Sequence, residues 1–227
     1  MVPIKSNLEH LRETVAKAAR RSGRSESDLT LVAVTKGVEP ERILEAIRCG
    51  VKDIGENRIQ EAERKFSLIP KDVKRHLVGR LQTNKVRKAL NLFDLIQSLD
   101  SVKLAREIDR ISKEKVLPVL VEVNSSGEQT KSGLRPEDTI EFLRKIADFP
   151  RIQTRGLMTI GPLTDDQDSI RNCFRATRRL FEQASQLHLG NCRMEYLSMG
   201  MSSDYEIAIQ EGSNMVRIGT AIFGPRN

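Results

Sequence analysis

The run LVAVTKGVEP, residues 31–40, carries the pattern that decides the fold. Its first five residues are mostly β-branched or apolar, which is typical of a buried strand. Glu39 and Pro40 then suit the first turn of a helix, and apolar residues at helical spacing follow them. The stretch therefore predicts a strand, a loop and a helix in that order, with Lys36 where the strand ends.

The same strand, loop and helix recur along the chain. Runs that favour strands lie at 29–36, 51–57, 76–82, 92–100, 117–126, 152–161, 194–201 and 215–224. Helical patterns separate them at 58–68, 84–90, 104–111, 136–147, 166–187 and 204–210. Eight strands that alternate with helices predict a (β/α)8 TIM barrel, a closed parallel sheet of the α/β class.

An extra helix is predicted at 4–22, because the apolar residues from Ile4 to Val15 recur three and four positions apart. An open doubly wound sheet is the rival architecture, and it would carry a G-x-G-x-x-G turn after an early strand. The first strand instead ends in VTKGVEP, residues 34–40. Since no linker or low-complexity segment divides the chain, we expect residues 1–227 to form a single domain.

The composition limits the class of protein. Lys and Arg number 38 against 31 Asp and Glu, and this formal charge of +7 suits phosphate-bearing ligands or nucleic acid. Aromatic residues make up 4% of the chain, so stacking surfaces are scarce and no nucleic-acid partner is expected. The three cysteines lie far apart, and the sequence shows neither a signal-peptide pattern nor an apolar run of ~18 residues. We therefore expect a cytoplasmic protein without a membrane partner.

Lys36 is the first candidate for chemistry, because active sites of this barrel form at the C-terminal ends of the strands. Its side chain would reach over the barrel mouth while the strand itself stays buried. An amine that loses water there is favoured in its neutral form, which can attack an aldehyde and form a Schiff base. The alternative is that Lys36 only ends the strand and extends into solvent.

A second group of residues indicates a phosphate site. The loop SMGMSSD, 198–204, brings hydroxyls, including that of Ser202, to the start of a short helix. In the eighth strand Gly219 permits close backbone approach, and Thr220 offers an amide and a hydroxyl. Loops after strands seven and eight form the usual phosphate site of this fold, beside strand one. A lysine next to such a site indicates pyridoxal 5'-phosphate (PLP), with ordinary turn chemistry as the alternative.

Several motifs together resemble the pyridoxal phosphate homeostasis protein family. They are AVTK (33–36), GENRIQE (55–61), HLVGRLQTNK (76–85), GLMTI (156–160), SMGMSSD (198–204) and VRIGTAIFG (216–224). The resemblance implies a fold type III PLP-binding barrel, related to the N-terminal barrel of alanine racemase, in which Lys36 carries the Schiff base. It also implies a role in controlling free PLP and, indirectly, amino-acid and keto-acid balance, with apo-PLP enzymes as possible acceptors.

The remaining site residues follow from the same resemblance. Ser202 with Gly219 and Thr220 matches the phosphate cradle. Arg217 matches an arginine that faces the pyridine nitrogen, where a guanidinium would keep that nitrogen unprotonated. Asn57, after the second strand, lies where the family's cofactor pocket is lined.

An amino-acid racemase that depends on PLP is the enzyme alternative. Racemisation needs a second acid or base on the opposite face of the cofactor. Alanine racemase takes that group, a tyrosine, from an additional domain of its partner subunit, whereas only three residues follow Gly224 here. Tyr196 and Tyr205, the two tyrosines, are not clearly placed for the role. We therefore expect a monomeric cofactor carrier rather than an enzyme.

Three further residues carry weaker predictions. His76 should lie at the start of the third strand, away from the barrel mouth, as a packed or surface histidine rather than a catalytic one. Lys131, in the loop after the fifth strand, is either a solvated lysine or a transient second acceptor for the cofactor. Lys85 belongs to a basic helix face or meets an anionic ligand.

Overall fold

A computed structural model describes residues 3–225, and within them the chain forms eight strands and nine α-helices. The strands are β1 (Thr30–Val34), β2 (Asp53–Glu56), β3 (Lys74–Leu77), β4 (Leu95–Leu99), β5 (Leu117–Glu122), β6 (Ile152–Met158), β7 (Cys192–Ser198) and β8 (Met215–Ile218). They close into a parallel barrel in chain order, and β8 pairs with β1. This topology confirms the (β/α)8 barrel and excludes the open sheet.

The helices form the outer layer. They are α1 (Ile4–Arg21), α2 (Pro40–Arg48), α3 (Ile59–Lys65), α4 (Val86–Leu92), α5 (Val102–Ser112), α6 (Thr139–Ile146), α7 (Gln167–Ser185), α8 (Tyr205–Gln210) and α9 (Thr220–Phe223). Short 3-10 turns at 26–28, 83–85 and 136–138 precede β1, α4 and α6. Ser101 is the N-cap of α5, and its hydroxyl accepts a 3.3 Å hydrogen bond from the amide of Leu104.

The extra helix α1 lies over the seam at which the barrel closes. Its predicted stripe, which includes Ile4, Leu8 and Val15, is buried. The helix packs against α2, α8 and α9, which flank the pairing of β8 with β1. The side-chain amide of Asn7 donates a 2.9 Å hydrogen bond to the carbonyl of Ile222 in α9. The start of the described chain is thereby joined to its last helix.

The barrel has two apolar regions. The larger one fills the layer between strands and helices. The smaller one lies inside the barrel and consists of Val32, Leu95, Leu120, Met158 and Met215. Buried polar side chains share that interior with it, since the side chains of one strand alternate between the two faces of the sheet.

Most predicted strands run past the observed strand ends. The predicted strand at 117–126 ends at Glu122, and the one at 215–224 ends at Ile218. Thr220 then begins α9, which was not predicted. The chain leaves the sheet at these points, but Val123, Ile222 and Phe223 beyond them are still buried in the core, so hydrophobicity alone does not mark where the ladder of hydrogen bonds stops.

The third strand is displaced from its predicted position at 76–82. β3 begins at Lys74, which pairs with Asp53 of β2, and it ends at Leu77. Lys74 and Arg75 are polar, so their residue types hide a strand whose backbone pairs regularly with its neighbour. His76 consequently lies within β3 and not at its start, and it is buried.

Other findings bear on the class of protein. Cys49, Cys173 and Cys192 are free thiols. Residues 3–225 contain no group of side chains arranged to hold a metal ion. No helix in the same range has both the length and the apolar character needed to cross a bilayer.

Candidate functional site

A cavity of about 510 Å³ opens at the C-terminal ends of the strands. All six predicted site residues line it, namely Lys36, Asn57, Ser202, Arg217, Gly219 and Thr220. Val34, Val78, Ile160, Met201 and Ser203 complete the lining. These residues come from the ends of β1, β2, β3, β6, β7 and β8, so the barrel brings together residues that are far apart in the sequence.

Lys36 lies two residues beyond the end of β1, in the loop before α2, and is half-buried. Thr35, the residue before it, is hydrogen-bonded to β2 through both its side chain and its backbone. The buried hydroxyl of Thr35 donates a 2.7 Å hydrogen bond to the carboxylate of Glu56, and the Thr35 amide donates to the carbonyl of Gly55 at 2.8 Å. These bonds fix the direction in which the chain leaves β1.

A buried lysine of α3 completes the support under this loop. The ammonium of Lys65 donates to the carbonyl of Thr35 at 2.7 Å and to the carboxylates of Glu56 at 2.9 Å and Glu61 at 2.6 Å. Glu61 also accepts a hydrogen bond from the amide of Gly37, whose φ of 67° lies in the left-handed region. Both neighbours of Lys36 are therefore anchored to one ionic cluster.

That ionic cluster was missed from the sequence, although Glu56 and Glu61 belong to the GENRIQE motif. Burial raises the pKa of Glu56, and its hydrogen bonds to Thr35 and Lys65 oppose that rise. The pKa of Glu61 is lowered: burial acts to raise it, and the hydrogen bonds from Lys65 and Gly37 outweigh that effect. The spacing of Glu61 and Lys65, one helical turn apart, was the available signal.

Asn57 is the first residue after β2 and is held by close backbone contact with Gly79. A Cβ atom added to Gly79 would lie 2.3 Å from the carbonyl oxygen of Asn57 and 2.8 Å from its Cα. Only a glycine allows this approach, because no side-chain atom fits in that space. The glycine of HLVGRLQ therefore sets the position of Asn57 at the cavity.

Arg217 is buried in β8, and its guanidinium is held by the ends of two other strands. Nη1 donates to the carbonyl of Ser198 at 2.8 Å and to the Ser198 hydroxyl at 2.7 Å, and Nη2 donates to the carbonyl of Thr159 at 2.7 Å. Burial lowers the pKa of Arg217 to about 10, against the opposing effect of Asp204 and Glu122. The side chain is thus a fixed cation at neutral pH.

The loop after β7 meets the turn after β8 through Ser202. The amide of Ala221, in the first turn of α9, donates a 3.2 Å hydrogen bond to the Ser202 hydroxyl oxygen. Because that oxygen accepts from Ala221, its own proton can be donated to another acceptor. Gly219 lies directly before α9 and is buried, whereas Thr220 is exposed. A hydroxyl of the loop after β7 and an amide of the turn after β8 therefore lie within hydrogen-bond distance beside the cavity.

Two buried acids near Arg217 were not found from the sequence. Burial, and after it the charge of Asp100, raise the pKa of Glu122 to about 7, although Arg217 and Arg80 oppose the rise. Burial also raises the pKa of Asp204, whose carboxylate accepts a 2.6 Å hydrogen bond from the amide of Met201. Asp204 ends the SMGMSSD run but was not assigned a role of its own, and nothing in the residues around Glu122 distinguishes it from the rest of the predicted strand at 117–126.

The weaker predictions have mixed outcomes. His76 is packed inside the barrel, as predicted, and bonds to Asp53. Lys131 is not a freely solvated lysine, because its ammonium donates to the carbonyl of Gly161 at 2.7 Å and pairs with Glu128 at 2.5 Å. Lys85 lines a neighbouring cavity of about 650 Å³, together with Asn57 and several arginines.

Neither tyrosine is among the residues that line the Lys36 cavity. Tyr196 lines a different cavity, of about 350 Å³, which also contains Thr30 at the N-terminal end of β1. Tyr205 lies in α8 and bonds to Thr14 of α1. Among the described residues that line the Lys36 cavity, Lys36 and Arg217 alone carry titratable side chains. The site therefore offers one amine, one fixed cation and a polar cradle.

Comparison with known proteins first gives the class. The family described as "Alanine racemase, N-terminal domain" matches residues 6–227. A solved alanine racemase from Clostridium difficile has the same fold, with a TM-score of 0.75 at 15% identity over 98% of this chain and 56% of that one. The fold and the site thus define a barrel of the alanine racemase N-terminal type.

Relatives of similar length then give the particular family. The pyridoxal phosphate homeostasis protein of Aquifex aeolicus (strain VF5) is 41% identical over 222 residues, which cover 96% of each chain. The solved structure of PipY from Synechococcus elongatus with PLP bound has a TM-score of 0.83 at 33% identity and covers 98% of this chain and 100% of that one. The chain belongs to the pyridoxal phosphate homeostasis protein family.

Proposed function

We propose that this chain binds PLP in the Lys36 cavity, holds it as a Schiff base on Lys36, and serves intracellular PLP homeostasis and amino-acid and keto-acid balance. The observation that carries this proposal is the convergence of Lys36, Arg217 and the Ser202 loop on one cavity. PLP bound to PipY, a relative with a matching fold, supports the choice of cofactor.

The residues of the cavity fit the aldehyde of this cofactor. PLP supplies a carbonyl that condenses reversibly with amines. The Lys36 nitrogen adds to the aldehyde carbon, a C=N bond replaces the C=O bond, and water leaves. Addition of water reverses the reaction and returns the free lysine. A reversible bond of this kind suits storage and release.

The part of the cavity formed by the loops after β7 and β8 fits the phosphate. The Ser202 hydroxyl keeps a proton to donate, since its oxygen already accepts from Ala221. The turn at Gly219 and Thr220 adds backbone amides and a second hydroxyl. Neutral donors of this kind hold a phosphate without a dedicated cation, as loops of this fold commonly do.

Arg217 fits the ring nitrogen of the cofactor. A guanidinium has donors only, so it can donate to an unprotonated ring nitrogen and cannot accept a proton from a protonated one. The pKa of Arg217, lowered by burial to about 10, still leaves it charged at neutral pH. An unprotonated ring withdraws electrons weakly, which favours holding the cofactor over turnover.

The racemase alternative receives little support. It requires a second acid or base on the face opposite Lys36, and the cavity lining described above contains none besides Lys36 and Arg217. Both tyrosines lie elsewhere, as described for the site. A holding role without robust catalysis is therefore the function that we propose, with apo-PLP enzymes as acceptors.

Nucleic-acid binding also receives little support. The positive charge of the chain is the feature that suits it, and three arginines of α7 that contribute to this charge are engaged in ion pairs. Arg171 and Arg175 both pair with Glu211, at 2.9 and 2.8 Å, and Arg178 pairs with Glu182 at 2.8 Å. A paired arginine face offers less attraction to phosphates than the composition implies.

A monomeric state and a cytoplasmic location stay predictions.

Visible absorbance tests the proposal. Incubation with PLP should give the wild type a visible band from the lysine-linked cofactor, and Lys36→Ala should abolish it. Lys131→Ala is the matched control, since it removes another partly buried lysine, and it should retain the band. Deuterium exchange at the α-carbon of amino acids tests the racemase alternative, and its absence is the expected result. A full band in Lys36→Ala would refute the proposed attachment.

A further inference from the structure

A chain of hydrogen bonds crosses the interior of the barrel and ends at Arg217. Arg217 Nη1 lies 2.7 Å from the Ser198 hydroxyl, which lies 2.7 Å from Oε1 of Gln97. Gln97 Nε2 lies 2.9 Å from Nδ1 of His76, and His76 Nε2 lies 3.0 Å from Oδ1 of Asp53. Five side chains from β2, β3, β4, β7 and β8 are thus connected.

The two ends of this chain fix its direction. Arg217 can only donate, so the Ser198 oxygen accepts from it and the Ser198 proton points to Gln97. Gln97 accepts that proton at Oε1 and therefore presents its amide group to His76. His76 accepts at Nδ1 and donates from Nε2 to the carboxylate of Asp53. Each of the other four side chains donates a hydrogen bond in the direction of Asp53. None of these hydrogen bonds can reverse its direction unless its neighbours reverse theirs.

Four of the five connected side chains are almost completely shielded from water, and the fifth, Asp53, has 16% of its side chain exposed. Gln97 and Ser198 are 0% exposed, His76 is 2% exposed and Arg217 is 4% exposed. Hydrogen bonds in such surroundings polarise one another and are costly to leave unmade. A change in the hydrogen bonding of one side chain therefore alters the hydrogen bonding of the next, because no solvent is there to replace the lost bond.

The chain joins two cavities at opposite ends of the barrel. Arg217 lines the Lys36 cavity, whereas His76 and Asp53 line the cavity of about 350 Å³ at the N-terminal ends of the strands. A proton placed on Nδ1 of His76 would face the amide hydrogens of Gln97. Gln97 would have to turn over, and it would then donate to Ser198 in competition with Arg217.

We propose that Ser198, Gln97 and His76 act as positioning residues that orient Arg217 for the ring nitrogen and couple the Lys36 site to the opposite end of the barrel. This inference rests on the proposed function, because it assigns Arg217 to the cofactor ring. The three residues touch no cofactor themselves. Their effect passes through the direction of the guanidinium and is reciprocal, so that binding at Arg217 alters the environment of His76.

Nitrogen NMR of the histidine rings tests the coupling. The chain has three histidines, and the exposed His10 and His188 serve as internal references for His76. In its neutral form the ring of His76 should carry its proton on Nε2, as the directions of its two hydrogen bonds require. Addition of PLP should shift the His76 ring resonances and leave those of His10 and His188 unchanged.

Two variants complete the experiment. Gln97→Met removes the amide and keeps a side chain of similar length, so the shift of His76 on PLP addition should be lost. Thr154→Val is the matched control, since it removes a buried barrel hydroxyl that has no hydrogen-bond partner in the described part of the chain. The control should keep the wild-type shift.

Borohydride reduction of the same samples separates the possible failures. A reduced adduct on Lys36 with no response of His76 in the wild type would overturn the coupling and leave the proposed function standing. A response that survives in Gln97→Met would also overturn the coupling. No adduct on Lys36 would overturn the proposed function itself. If Gln97→Met fails to fold, the response of His76 to PLP in the wild type still tests the coupling.

Discussion

The ammonium of Lys65 donates a 2.7 Å hydrogen bond to the backbone carbonyl of Thr35, the residue immediately before Lys36. The same ammonium neutralises the buried Glu56 at 2.9 Å. The loop that presents Lys36 is therefore held by a second lysine, which is itself largely buried. The position of Lys36 depends on an ionic cluster as well as on the end of β1.

Replacement of Lys65 by methionine should lower both stability and cofactor loading. Lys65→Met leaves the carboxylate of Glu56 buried without its cation, and loss of one partner of a buried pair costs about 3 kcal/mol. Urea denaturation measures the free energy of unfolding, and borohydride labelling measures the loading of Lys36.

The control for this change is Lys88→Met. Lys88 pairs with Glu63 at 2.7 Å on the protein surface, where 53% of the lysine side chain is exposed. Loss of such a pair costs roughly 1 kcal/mol or less. Equal effects of the two substitutions would refute the role assigned to Lys65.

Alanine at position 79 should displace Asn57 from the cavity wall. The added Cβ would lie 2.3 Å from the carbonyl oxygen of Asn57, so the two loops must separate. Overpacking of this kind costs about 1–3 kcal/mol. Thermal unfolding and PLP titration should show reduced stability and weaker binding. Gly190→Ala, at a site with no atom within 4 Å, is the control and should change neither property appreciably.

The stability of the protein should depend on pH through Glu122. Burial first, and then Asp100, raise the pKa of Glu122 from 4.5 to about 7. Between those two values the folded state keeps a proton that the unfolded state has released. The contribution of this group to stability therefore falls as pH rises through the window and reaches its minimum above the folded pKa.

Glu122→Gln removes this ionisation and should flatten the dependence. Above pH 7, the value to which the pKa is raised, we expect the variant to be more stable than the wild type by on the order of 1–3 kcal/mol. The advantage should disappear below pH 4.5, the ordinary pKa. Urea denaturation across this pH range measures the difference. An advantage that is constant with pH would show that Glu122 is not the titrating group.

The sequence predicts the fold, and it predicts that the six candidate site residues lie together, for a physical reason. Each strand, loop and helix unit carries its own local hydrophobic pattern, and closure of the barrel brings the C-terminal strand ends together. Lys36 and Thr220 could therefore be assigned to one cavity although they lie at opposite ends of the chain. The observed barrel confirms that prediction of shape.

Features that depend on side-chain packing could not be predicted. Lys65 reads as an ordinary surface lysine of a charged helix, and only the barrel shows that it is buried against Glu56. The contact between Gln97 and His76 likewise requires two neighbouring strands in register, which hydrophobic patterns do not specify at single-residue precision. The strand ends were missed for the related reason that apolar residues such as Val123 and Ile222 stay buried after the ladder stops.

The most direct test of the account is to identify the lysine that carries PLP. The protein is incubated with PLP, reduced with borohydride and digested, and the peptides are mapped by mass spectrometry. The account predicts a pyridoxyl group on the peptide that contains Lys36 and its loss in Lys36→Ala. An adduct located mainly on another lysine, such as Lys131 or Lys85, would contradict it.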